Sequence, residues 1–201
     1  MLRDFLGVSS GVSVAIALTF AVGLVQAVET AVIPPSAEGL VLWAKIHEVV
    51  SHPRCANCHV GSDNVPIWSG KNFKSKPRPH GMNINGGASR NGAENGLLCV
   101  SCHTPQNSSL IGGPPGAKPW LLAPVEMQWY GKSSAEICAQ VKDGRRNGNR
   151  SLEAIAHHVE TDPLVNWGWS PGIGRDPAPY TSADTATFIR SWGKLGAPCP
   201  S

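Results

Sequence analysis

Hydrophobic positions recur with a helical period in several stretches of this chain, and nowhere with the two-residue period of a half-buried strand. After Pro34-Pro35-Ser36, which reads as a helix start, Leu40, Trp43, Ala44, His47 and Val50 line one face of a segment from Ala37 to about Ser51. Ser133-Ser134-Ala135-Glu136 is a capping box, and Asp143-Gly144 stops the helix it opens. Ser151 caps the next, whose inner stripe is Leu152, Ile155, Ala156 and Val159. A last helix, from about Ala183 to Leu195, puts Phe188, Ile189, Trp192 and Leu195 together.

Between these helices the pattern dissolves into loops, from Gly61 to Asn95 and through Gly112-Gly113-Pro114-Pro115-Gly116. With 22 Gly and 17 Pro against 15% charged residues, the expected class is mainly α with extensive ordered coil. So much irregular chain leaves a thin core unless something large and apolar fills it. Seven Trp are available to pack on such a body.

Two pentapeptides name that body. Cys55-Ala56-Asn57-Cys58-His59 and Cys99-Val100-Ser101-Cys102-His103 are both C-x-x-C-H runs, the attachment signature of c-type haem. Cysteines three apart on one helical turn can each add to a vinyl group on the same porphyrin edge. The next histidine then supplies a proximal imidazole to the iron. The expectation is two covalent haem c groups, held by Cys55, Cys58, Cys99 and Cys102, with His59 and His103 as iron ligands. A structural zinc site is the alternative for two C-x-x-C pairs. Such pairs return within about 15–20 residues, whereas Cys58 and Cys99 lie much farther apart and zinc gives no reason for a histidine after both.

Arg3, the uncharged run from Gly7 to Val25, and Val25-Gln26-Ala27 read as a secretory signal peptide over residues 1–27. The rival reading is a retained membrane anchor, since Phe5 to Val28 is long enough to span a bilayer. Either way residues 28–201 form one periplasmic domain, and a membrane is a partner only if the segment stays. In an oxidising compartment the leftover Cys138 and Cys199 pair as a disulfide. The formal charge of +3 is offset by four haem propionates, so nucleic acid is not an expected partner. Lys71, Lys74, Lys76 and Arg78 read as a solvated loop, or else as partners of propionates or an acidic protein.

The sixth position of each iron decides what the protein does. His47, on the apolar face of its helix, is a candidate distal ligand. So are His80 in its loop, with Met82 as a weaker choice beside it, and His158. At about 100° per residue, His158 flanks the inner stripe of its helix whereas His157 points away. His52 stands too close to Cys55, and Met127, before Gln128-Trp129-Tyr130, reads as packing.

Several segments carry a resemblance. They are His47-Glu48-Val49-Val50 before Arg54-Cys55-Ala56-Asn57-Cys58-His59; Arg78-Pro79-His80-Gly81-Met82-Asn83; Asn147-Gly148 to Ser151-Leu152; Asp162-Pro163-Leu164-Val165 with Trp167-Gly168-Trp169; and Gly196-Ala197-Pro198-Cys199. Over nearly the whole mature chain this resembles a family of short exported bacterial dihaem proteins often labelled isoquinoline 1-oxidoreductase subunit. The resemblance implies a small dihaem c-type cytochrome. The enzyme behind the label resembles molybdenum hydroxylases, which need iron–sulfur cysteines and a long molybdenum domain that this chain lacks. What carries over is an electron acceptor beside such an enzyme. The expected function is therefore single-electron transfer between redox protein partners. Its rivals are a peroxidase-like dihaem enzyme with one open iron and a haem-based gas or redox sensor.

Overall fold

The computed structural model describes residues 36–69, 76–92 and 97–201; the segment 1–27, with Lys71 and Lys74, lies outside them. The described residues from Ser36 onward belong to one compact unit.

Helix α1 runs Ala37–Val50, with the Ser36 hydroxyl accepting the N–H of Gly39 at its start. Its buried face is Gly39, Trp43, Ile46, Val49 and Val50, which is rotated from the expected stripe: Ala44 is exposed and His47 and Leu40 only half-buried. The reason lies at the other end of the chain. Gly39 has no side chain because the Pro198 ring sits where one would be, and this contact turns α1 toward the C-terminal tail.

The expected caps hold. Ser133 and Glu136 form the capping box of α3 (Ser134–Lys142), and Ser151 caps α4 (Leu152–Thr161). Thr181 and Asp184 form a second capping box on α6 (Ser182–Lys194). Two one-turn helices complete the set, α2 (Pro53–Ala56) and α5 (Pro163–Asn166), each with proline in its first turn. Helix α6 packs against α4 and α1. At their junction Trp43 and Trp192 meet with ring centroids 5.0 Å apart, and both are buried. Each indole N–H is satisfied: Trp43 donates to Ser134 Oγ at 2.8 Å and Trp192 to the Pro198 carbonyl at 2.9 Å. Ile46, Ile137, Val141, Ala156 and Ile189 fill the rest of this core. The Cys138–Cys199 disulfide, with Cα atoms 5.7 Å apart, ties α3 to the tail inside it.

The described residues are thus helix-rich, as the hydrophobic pattern predicts. The pattern missed one element: Ile67–Trp68 (β1) pairs antiparallel with Arg78–Pro79 (β2), Ile67 opposite Pro79. Two-residue strands are too short to show a period. This ladder nonetheless fixes where His80 leaves the sheet. Among the described residues, no helix is long and apolar enough to cross a membrane.

Candidate functional site

Both C-x-x-C-H runs fold into the same turn. In the first, the N–H groups of Cys58 and His59 donate to the Cys55 carbonyl at 3.1 and 3.3 Å; in the second, those of Cys102 and His103 donate to the Cys99 carbonyl at 3.2 and 2.9 Å. Pro53 opens the first turn and the His52 imidazole accepts the Arg54 N–H at 3.2 Å, so His52 serves as a helix cap. One turn per motif presents two thiols and swings the histidine away from them. None of the four cysteines is in a disulfide.

The two motif histidines are held alike. His59 donates from Nδ1 to the Met127 carbonyl and His103 from Nδ1 to the Pro115 carbonyl, each at 2.8 Å. A tryptophan lies flat on each ring: Trp129 on His59 with centroids 3.4 Å apart, Trp120 on His103 at 4.4 Å. A carbonyl on Nδ1 fixes the tautomer and leaves Nε2 as the ligating nitrogen. Burial holds both imidazoles neutral. It pushes His59 down to about 4, against its carbonyl bond and with help from His158, and it lowers His103, again against its carbonyl and helped by His80 and Arg175. Met127 therefore contributes through its backbone, while its side chain packs on the core.

The candidate distal ligands stand in different surroundings. His80 follows β2, its N–H bound to the Pro66 carbonyl at 2.8 Å and its Nδ1 to the Gly81 carbonyl at 2.9 Å. Its ring centroid stands 6.2 Å from that of His103. Metal–imidazole bonds of about 2 Å, with each ring centre about 1 Å behind its nitrogen, put two rings that share one metal roughly 6 Å apart. At this separation the two imidazoles could hold one metal ion between them. Met82 is 67% exposed with φ +60° and lies farther out on the same loop.

His158 is half-buried on α4 and close enough to His59 to push it down, whereas His157 is exposed. The Nδ1 of His158 faces Asp162 Oδ2 at 3.5 Å. Burial lowers His158, Asp162 opposes this, and Arg150 and His157 lower it further. His59, His103 and His80 thus share one arrangement, with Nδ1 hydrogen-bonded to a backbone carbonyl and no hydrogen bond at Nε2 among the described residues, while His158 Nδ1 only faces a carboxylate oxygen. His47 stands apart. It packs at Trp43, 6.3 Å between centroids, beside Glu48, and it lines no part of the cavity described next.

A cavity of about 450 Å³ opens at the second motif, walled by Cys99, Cys102, His103, His80 and Met82, with Cys58 of the first motif at its edge. Cofactor sites span about 300–1,000 Å³. The thiols have their own asymmetry. Burial pushes Cys55 up to about 12, with Cys58 adding and Arg54 opposing. Burial pushes Cys58 up to about 11, with Arg54 opposing and Cys99 adding, and both thiols line the one cavity. Cys102 is exposed.

Two cations also line the cavity, Arg54 and Arg175, and the motifs gave no sign of them. Burial lowers both; Arg175 lowers Arg54 further, with nearby cysteines and Asp176 opposing. Arg54 lies 5.7 Å over the Trp167 ring and donates to the Ser69 carbonyl at 3.0 Å, but its buried Nε–H has no partner. The Nε1–H of Trp129 is orphaned in the same way beside His59. Unpaired buried donors are costly, and here they are N–H groups at each of the two motif sites. The propionates of a haem are acceptors of the kind both lack. The donor set and the orphaned N–H groups therefore fit haem at both motifs, and the ring spacing adds to the fit at the second. Zinc asks instead for several converging ligands, and no cluster of three His, Cys, Asp or Glu forms among the described residues.

No protein-family model matches this chain, and neither a curated protein nor a solved structure matches it.

Proposed function

We propose that this chain is an exported dihaem c-type cytochrome that carries single electrons between redox proteins. The observation that carries the reading is the His80–His103 pair, 6.2 Å between ring centroids with both Nδ1 atoms already engaged. An iron closed on both sides by imidazole stays low-spin and has no position for substrate, which favours a carrier over a peroxidase. Haem bound at these sites would supply the redox change, and the protein supplies everything around it. Cys55, Cys58, Cys99 and Cys102 hold the macrocycles, His59 with His158 and His103 with His80 hold the irons, and Arg54, Arg175 and Trp129 take the propionates.

That Cys58 and Cys99 line one cavity supports a second point. Each is a thioether position, so the two porphyrin edges would meet there and electrons could pass between the irons. The family resemblance agrees with this and adds a partner class, a molybdenum-hydroxylase-type dehydrogenase that the chain would relieve of electrons.

The test is to produce the chain with c-type haem maturation in a bacterial periplasm. The pyridine haemochrome should give two haems per chain, and low-temperature electron paramagnetic resonance of the oxidised protein should show two low-spin ferric centres. Absence of covalent haem would defeat the reading. A high-spin centre that binds cyanide or peroxide rapidly would move it to the enzyme class.

A further inference from the structure

The two sites differ in what stands behind their distal histidines. At the second, His80 gives its Nδ1–H to a neutral acceptor, the Gly81 carbonyl, and the cation Arg175 lines the cavity with His103, while Arg54, also on its wall, adjoins Cys55 and Cys58 of the first motif. At the first, the atom facing His158 Nδ1 is a carboxylate oxygen, Asp162 Oδ2, 3.5 Å away. That carboxylate is held in place. Its Oδ1 accepts the N–H groups of Leu164 and Val165 at 2.9 and 3.1 Å, which leaves Oδ2 for the imidazole. The corner between α4 and α5 is pinned as well: the Asn166 amide donates to the Glu160 and Asp162 carbonyls at 3.1 and 3.0 Å.

We propose that Asp162 is the positioning residue of His158 and makes the first motif's haem the lower-potential of the two. This rests on the dihaem reading above, with His158 as the distal ligand of His59's iron. An anion on Nδ1–H fixes the tautomer that offers Nε2, and it makes the imidazole a stronger donor. Ferric haem carries one more positive charge than ferrous haem, so a nearby carboxylate favours the oxidised state and nearby guanidinium groups favour the reduced one. Arg150 and His157 act on His158 in the opposite sense to Asp162, but both come after it in their effect there. The expected ordering is therefore low at the first motif and high at the second.

The experiment is an optical redox titration of the haem-loaded Asp162→Asn and His158→Ala proteins beside the parent. Asparagine is itself a good helix cap, so α5 should survive, and far-ultraviolet circular dichroism checks that it does. In Asp162→Asn the lower midpoint should rise toward the upper one, which stays where it was; conversion of that one haem to high spin would equally show that Asp162 holds its ligand. Unmoved midpoints with both haems low-spin would overturn the proposal, as would a shift of the upper midpoint or of both together. His158→Ala separates this from the underlying reading. If it turns one haem high-spin while Asp162→Asn is silent, only the role of Asp162 falls. If it leaves both haems low-spin, His158 is no ligand and the assignment beneath falls too.

Discussion

The two C-x-x-C-H turns are near copies in backbone and opposites in surroundings. Each folds its cysteine carbonyl over the same two N–H groups, sends Nδ1 to a carbonyl at 2.8 Å and carries a stacked tryptophan. Yet the first is backed by the helical core, where Met127 and Trp129 pack, and reaches the cavity with Asn57 and Cys58, while the second lines it with Cys99, Cys102 and His103, Cys102 being exposed. A short motif can dictate one turn of backbone and the direction of one histidine. Everything beyond that turn comes from distant chain: α4 for the first motif, the β1–β2 ladder and its loop for the second.

Three measurements would break or sharpen this contrast. The largest effect is expected at the open site. In the haem-loaded protein, His80→Ala should turn one haem entirely high-spin, whereas Met82→Leu, at an exposed position on the same loop, should leave both spectra unchanged. The reverse result would give the second iron a methionine ligand.

The next effect is on the bare thiols. In chain produced without haem, Cys55 sits about three units above the ordinary thiol, and reactivity follows the thiolate. Each unit is a factor of ten, so near pH 8 the thiolate at Cys55 is scarcer by about a thousandfold. The sign is clear: burial disfavours the anion, so the thiol stays protonated farther up the pH scale than an ordinary one and its alkylation is slowed throughout that range. Iodoacetamide followed by mass spectrometry should label exposed Cys102 first and Cys55 last. Equal labelling would erase the distinction between a closed and an open site.

The smallest effect concerns the core beneath the first site. Reducing the Cys138–Cys199 bond should cost about 2–4 kcal/mol in denaturant titration. Since that bond lies in the helical core, the first site should loosen before the second. Loss of both haem signatures at one denaturant concentration would mean the two regions unfold as one.

Which of these features were legible in the sequence follows their range. The caps at Ser36, Ser133 and Ser151 bond within three residues, so local spelling is enough to find them. The distinction between His157 and His158 is likewise local, a matter of helical phase. The face of α1 was misread because Pro198, far away in sequence, decides what Gly39 touches. His80 could be named from its loop but placed only through its pairing with a remote turn. Arg54 and Arg175 belong to no motif that assigns them a role, and Asp162 caps α5 through Oδ1, a local role that says nothing of the imidazole facing its other oxygen. A count of tryptophans announced that something large needed walls; it could not say that two of them would lie flat on the motif histidines.

The bond between Cys138 and Cys199 also has a topological meaning. It closes a covalent ring that contains α4, α5 and α6, and therefore His158 and Asp162, while both C-x-x-C-H turns and His80 remain on the open strand. A protease that cuts at exposed Arg145 leaves a molecule with two more termini but no lost piece, because the disulfide still joins the two fragments. A cut in the loops around the second motif severs the chain into parts held only by packing. One half of the molecule is insured by its connectivity, and the other depends on what it binds.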